Sequence, residues 1–176
     1  MKQLKYLVLI FIVACSSSKV IYDYDETTNF NKYKTFNFFE DVGKGISQLN
    51  IKRITDKITE NLESKGMRFS ENPDIYINVI SNKKASTKRS KIGIGLGTGG
   101  RNIGFGISGG IPIESKKINE ELLIDFVESK ENKLIWQGIS NNEVHEKSSP
   151  EEKRIYYKEV INKTLVNYPP KKTSKN

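Results

Sequence analysis

The only cysteine in this 176-residue chain is Cys15, and it stands just past the end of an uninterrupted, mostly apolar run, Tyr6 to Val13. One thiol cannot close a disulfide within the chain or build a cysteine-based metal site, so whatever folds must be held by packing. Lys2 and Lys5 precede the run, which has the length of a signal-peptide core and falls short of the ~20 residues a membrane-spanning helix needs. The tetrapeptide Ile12-Val13-Ala14-Cys15 follows the lipobox pattern, in which a small residue lets a peptidase reach the bond before a cysteine that becomes a thioether to diacylglycerol. Residues 1–14 are therefore expected to be a lipoprotein signal peptide, and Cys15 to carry the diacylglyceryl and palmitate chains. Several acyl chains hold stably, since each buried CH₂ contributes about 0.8 kcal/mol and one chain alone is marginal.

Residues 15–19 would be a lipidated tether, residues 20–168 a single domain, and residues 169–176 a disordered tail. A chain of about 150 residues buries roughly 68–70% of its unfolded surface, enough for one self-sufficient core. The formal charge of +8 includes Lys2 and Lys5. The exported part is therefore nearer +6. An exported basic protein meets anionic lipid headgroups rather than nucleic acid, so no nucleic-acid partner is expected.

Periodicity places the elements. Val20 to Tyr24 and Thr35 to Phe39 are predicted strands, with a turn at Gly43 and Gly45. Ile51, Ile54, Ile58 and Leu62 recur at helical spacing, which predicts a helix over 49–65 ended by Gly66. Ile75 to Ile80 alternates as a strand with both faces partly covered. Ile118 to Val127 and Leu134 to Asn142 form a predicted hairpin through the polar loop Glu128 to Lys133. Ser149-Pro150-Glu151-Glu152 is a capping box with proline at the first helical position, predicting a helix over 150–167. The sum is a two-layer α+β domain: a mainly antiparallel sheet, two helices on one face, and a glycine-rich β-hairpin.

At these residues the chain resembles the DUF4136 family of bacterial envelope lipoproteins. The likeness rests on Val20-Ile21-Tyr22-Asp23-Tyr24-Asp25, Phe30, Tyr33-Lys34-Thr35-Phe36, Leu123-Ile124-Asp125-Phe126-Val127, Leu134-Ile135-Trp136-Gln137-Gly138 and Tyr168-Pro169-Pro170. It covers nearly the whole exported chain. It implies an α+β fold and an envelope location, and it brings no catalytic residues with it.

Nine of the 13 glycines lie between Gly93 and Gly110. Gly95-Leu96-Gly97-Thr98-Gly99-Gly100 has the spacing of a dinucleotide loop, but no Gly-Lys-Ser/Thr and no helix pattern follow, so no cofactor is expected. The segment is better read as a two-stranded ribbon, with Ile92, Ile94 and Leu96 on one face and Ile103, Phe105 and Ile107 on one face of the return strand. Lys83, Lys84, Lys88, Arg89 and Lys91 form a basic flank beside it, read as a solvated loop. Asp23 and Asp25 would share one face of a strand and pair with Lys32 or Lys34, lacking the glycine and terminal Glu of a calcium loop. His145, the sole histidine, is read as an exposed loop residue, since Glu143 and Glu146 beside it match no zinc signature. Trp136 is read as core, its indole N–H finding a partner.

The expected function is that of a non-catalytic envelope lipoprotein, an interaction or accessory module held at the membrane by its lipid. Its partners would be an envelope protein or anionic lipid. The alternative is a binding protein for an apolar or glycolipid ligand. A hydrolase built on His145 ranks third, because no Gly-x-Ser-x-Gly elbow exists. Ser16 is not the Asp associated with inner-membrane retention, and no acidic run follows Cys15. The expected location is therefore the periplasmic face of the outer membrane.

Overall fold

The computed structural model describes residues 19–85 and 117–171. Within them lie six strands and two helices: β1 Lys19–Tyr24, β2 Thr35–Phe38, α1 Gln48–Ser64, β3 Arg68–Phe69, β4 Ile75–Ala85, β5 Lys117–Glu128, β6 Lys133–His145 and α2 Pro150–Leu165. The strands form one sheet in the order β1-β6-β5-β4-β2-β3. The pairings β1–β6, β6–β5 and β5–β4 are antiparallel. Those of β2 with β4 and β3 are parallel. The mainly antiparallel α+β layout predicted from the sequence is therefore present. The parallel corner arises because α1 connects β2 to β4 as a crossover, which a hairpin cannot do.

Local chemistry accounts for the helix ends. Gly66 takes φ +86°, the left-handed region that favours glycine. Its N–H donates to Glu63 O at 2.9 Å, and that of Met67 to Leu62 O at 3.1 Å, the paired bonds of a Schellman end. At α2, Glu152 N–H donates to Ser149 Oγ at 3.2 Å and Ser149 N–H to the Glu152 carboxylate at 2.6 Å, closing the predicted capping box. Gly43 and Gly45 also have positive φ, so the predicted turn is made there.

Both helices cover one face of the sheet. The α1 stripe buries Ile54, Ile58 and Leu62, and α2 buries Tyr157, Val160, Ile161 and Leu165. They meet Ile75, Ile77 and Val79 of β4 and Leu122, Ile124 and Phe126 of β5, all at most 1% exposed. Each such large side chain contributes roughly 1.5–3 kcal/mol on burial. In β6, Phe126 lies opposite Trp136 and Val127 opposite Leu134, a bulge that leaves Ile135 as an extra residue. Ile135 and Trp136 are consecutive yet both buried, which a regular strand forbids and a bulge permits. Trp136 then packs against Phe126 at 5.0 Å and Tyr168 at 5.5 Å between ring centroids.

Two expectations need correction. β4 does not end at Ile80 but runs to Ala85, because β5 pairs with it residue by residue as far as Ala85↔Ile118. Lys83 and Lys84 are therefore strand residues and not loop. The indole Nε1 of Trp136 is buried with no hydrogen-bond partner among the described residues, where a partner was expected. Cys15, the glycine-rich ribbon, Lys88, Arg89 and Lys91 lie outside the described residues.

Candidate functional site

The face of the sheet away from the helices is layered by the strand register. Across it, Ile80 lies opposite Leu123, Leu123 opposite Ile139, and Ile139 opposite Ile21. These four aliphatic side chains make one level row over β4, β5, β6 and β1, with Ile80 39% and Ile21 50% exposed. Leu123 and Ile139 are half-buried. Polar rows flank it: Asn78, Asp125, Gln137 and Asp23 on one side, Asn82, Glu121, Asn141 and Lys19 on the other. Among the described residues no helix covers this face. An apolar row framed by hydrogen-bonding groups can take a flat partner surface; a carboxylate or hydroxyl set for bond cleavage is not assembled in it.

Asp125 sits in that face. Burial pushes its carboxyl above the usual range, opposed by Gln137 Nε2 donating at 2.8 Å. Asp25 behaves oppositely. It follows β1, pairs with Lys133 and accepts from the Thr27 and Thr28 hydroxyls, and these partners, Lys133 first, hold it well below the usual range. The expected pairing of Asp23 and Asp25 with Lys32 or Lys34 is corrected here: Lys32 binds Glu128 at 2.8 Å, and the Lys34 N–H donates to Asp74. The β5–β6 turn brings Lys133 to the end of β1, a contact no local spacing reveals.

The two carboxylates predict opposite pH behaviour. A depressed acid stabilises the fold above its ordinary value of 3.8 and loses that contribution as pH falls through its folded value. Asp25→Asn should therefore lower the Tm at pH 7, with the deficit shrinking below pH 4. A raised acid costs stability when ionised, so Asp125→Asn should raise the Tm at pH 7, the gain fading as pH falls toward 3.8. Melting curves at pH 7, 5 and 3 check both signs.

On the helix side a carboxylate is buried in the core layer. Glu120 is 1% exposed and accepts from Ser81 Oγ at 2.6 Å and from the Tyr157 hydroxyl at 3.4 Å, with Lys83 Nζ at 3.4 Å. Burial and then the Glu120 charge push the Tyr156 and Tyr157 hydroxyls above their ordinary range, so both stay protonated at neutral pH. Among the described residues Glu120 Oε2, the Tyr156 hydroxyl and Asn142 Nδ2 have no hydrogen-bond partner. Sequence reasoning missed this cluster. The one available signal was Glu120 at the inward parity of β5, in step with Leu122, Ile124 and Phe126.

His145 is the exposed last residue of β6, a strand end and not a loop residue. Among the described residues no three His, Cys, Asp or Glu side chains gather in a metal-holding group. Likewise no described helix is long and apolar enough to cross a membrane.

These features define a two-layer α+β domain with one helix-covered face and one that, among the described residues, no helix covers. The chain belongs to the DUF4136 family, a domain of unknown function whose family model matches residues 20–170. No curated protein sequence matches it. Among solved structures, a PDZ domain protein from Parabacteroides distasonis is similar with a TM-score of 0.56 and 17% identity. That match covers 88% of this chain but only 36% of the other, so the chain spans well under half of that protein's length. PelC from Paraburkholderia phytofirmans, described as a dodecamer, is similar in two crystal structures with a TM-score of 0.50 in each. The identities are 9% and 7%, over 85% of this chain and 95% and 96% of PelC. At these identities the likeness is one of fold.

Proposed function

We propose that this protein is a non-catalytic envelope lipoprotein, an interaction or accessory module anchored through Cys15 and docking a protein partner on the open face of its sheet. The observation that carries the reading is the level row of Ile80, Leu123, Ile139 and Ile21. Soluble domains rarely leave contiguous apolar surface open without using it. The fold is shared with a protein described as a dodecamer, which is in keeping with a role in assembly. The anchor would sit on the periplasmic face of the outer membrane, four residues before β1.

The alternative, an apolar or glycolipid ligand, has one feature in its favour. A shallow groove of about 470 Å³ is lined by Val20, Asn162, Lys163, Val166 and Asn167, mixing apolar and polar groups near the start of β1. It is open to solvent, whereas a small-molecule site encloses most of its ligand.

Two experiments test the reading. Cys15→Ser should move the protein from the detergent to the aqueous phase on partitioning; unchanged partitioning rejects the anchor. Leu123→Ser with Ile139→Ser should remove crosslinks to partners in intact cells, with the Tm shifted by only a few degrees. Crosslinks that persist unchanged in this variant reject the docking face. If they instead disappear with Val166→Glu, the groove is the binding surface.

A further inference from the structure

β1 closes one end of the sheet, and among the described residues nothing pairs with its outer side. Its register with β6 is unbroken over all six residues, and it contains no proline. Edge strands are commonly protected by a proline, a bulge, a covering segment or charged side chains; β1 carries one charge of each sign, Lys19 and Asp23. Asp25 N–H donates to Ile135 O at 3.0 Å, one residue beyond the Tyr24↔Trp136 pair. Antiparallel ladders alternate, so Lys19, Ile21 and Asp23 turn their backbone groups to β6, while Val20, Tyr22 and Tyr24 turn theirs outward.

We infer that this edge pairs with β1 of a second copy, antiparallel and centred on Ile21. In that register Ile21 meets its own counterpart. Lys19 falls opposite the copy's Asp23, and Asp23 opposite its Lys19. Val20 lies opposite Tyr22, and these are the residues whose N–H and C=O groups face outward, so each Val20–Tyr22 pair exchanges two hydrogen bonds. Lys19, Ile21 and Asp23 share one face, so two ion pairs flank an aliphatic contact. Sliding the copy by one residue sets outward backbone groups against inward ones. Sliding it by two sets Ile21 against Asp23 or Lys19. The strand is thus complementary to itself in one register. Among the described residues neither Lys19 nor Asp23 has an ion-pair partner, and Ile21 and Tyr22 are 50% and 41% exposed. The pairing joins the two sheets into one and carries the aliphatic row from Ile80 through Ile21 into the second copy. It stands independently of the anchor and of the partner proposed for the open face.

The test uses the full chain in its own membrane. Facing residues at a non-hydrogen-bonded antiparallel pair have Cα atoms about 4.5 Å apart, within disulfide range. Under mild oxidation Ile21→Cys should give a disulfide dimer at least tenfold more abundant than Leu49→Cys, an exposed position on α1, with the wild type as background for Cys15. Adding Lys19→Asp to Ile21→Cys should reduce the dimer severalfold, and further adding Asp23→Lys should restore it. Equal yields at positions 21 and 49, or no effect of Lys19→Asp, overturn the proposal. A natively melting Ile21→Cys variant that gives no dimer also overturns it.

Discussion

Phe126→Ala is expected to lower stability by about 3–5 kcal/mol, the largest effect of any single truncation in this domain. Phe126 is fully buried near the end of β5, opposite Trp136. Its ring lies 4.4 Å from that of Tyr168, edge to face, and 5.0 Å from that of Trp136. Removing it leaves a hole between two large rings and the bulge, where β6 is held on both sides by β5 and β1 and cannot collapse inward. Tyr168 follows α2 and closes the core from the chain's far end, so the loss also loosens the packing of that segment. For a domain of this size the Tm should fall by roughly 6–20 °C. Chemical denaturation checks the value; a loss below about 1 kcal/mol would mean that the aromatic cluster is not the centre of the core.

Gly138→Ala is expected to cost about 3 kcal/mol, a large penalty for one methyl group. A Cβ there would lie 2.4 Å from Trp136 Cη2 and 2.7 Å from Thr164 Cγ2. Neither neighbour can retreat. Trp136 is fully buried against Phe126 and Tyr168, and the Thr164 hydroxyl donates to Val160 O at 2.8 Å, which fixes its methyl toward β6. Overpacking of this kind typically costs about 1–3 kcal/mol and occasionally more. The glycine is thus the slot into which Trp136 folds over its own strand. In a Trp136→Phe background the same substitution should cost at least ~1 kcal/mol less, since the clashing ring edge is gone. Trp136→Phe itself should be milder than its volume suggests, because it also removes a buried N–H that lacks a partner, a group costing about 1–3 kcal/mol. An additive double-mutant cycle would show that the clash is relieved by backbone movement instead.

The elements were legible because each has a local cause. The stripe Ile51, Ile54, Ile58 and Leu62 and the left-handed Gly66 define α1, and Ser149, Pro150 and Glu152 define the start of α2 without any tertiary contact. The predicted helices, 49–65 and 150–167, differ from Gln48–Ser64 and Pro150–Leu165 by at most two residues at either end. The strand ends were less legible. Ser81 to Ala85 is polar and basic in composition, and only the facing residues of β5 supply the backbone partners that keep it extended.

Pairing between distant segments separates what the chain alone determined from what the tertiary structure decided. Periodicity and capping act over a few residues, so the sequence by itself determined two helices, the main strands and a helix-covered core face. The open face required the register: Ile21, Ile80, Leu123 and Ile139 are unremarkable aliphatic residues until four strands set them level. The partner of Asp25 turned out to be Lys133 and not Lys32 or Lys34, because a turn more than 100 residues away folds back against β1. Ile135 joins Trp136 in the core only because a bulge resets β6 by one residue, and Gly138 is needed only because the Trp136 ring lies over it. Side-chain parity is a property of one strand, but which strands adjoin, and in what register, depends on long-range contacts whose loop-closure cost leaves no local mark in the sequence.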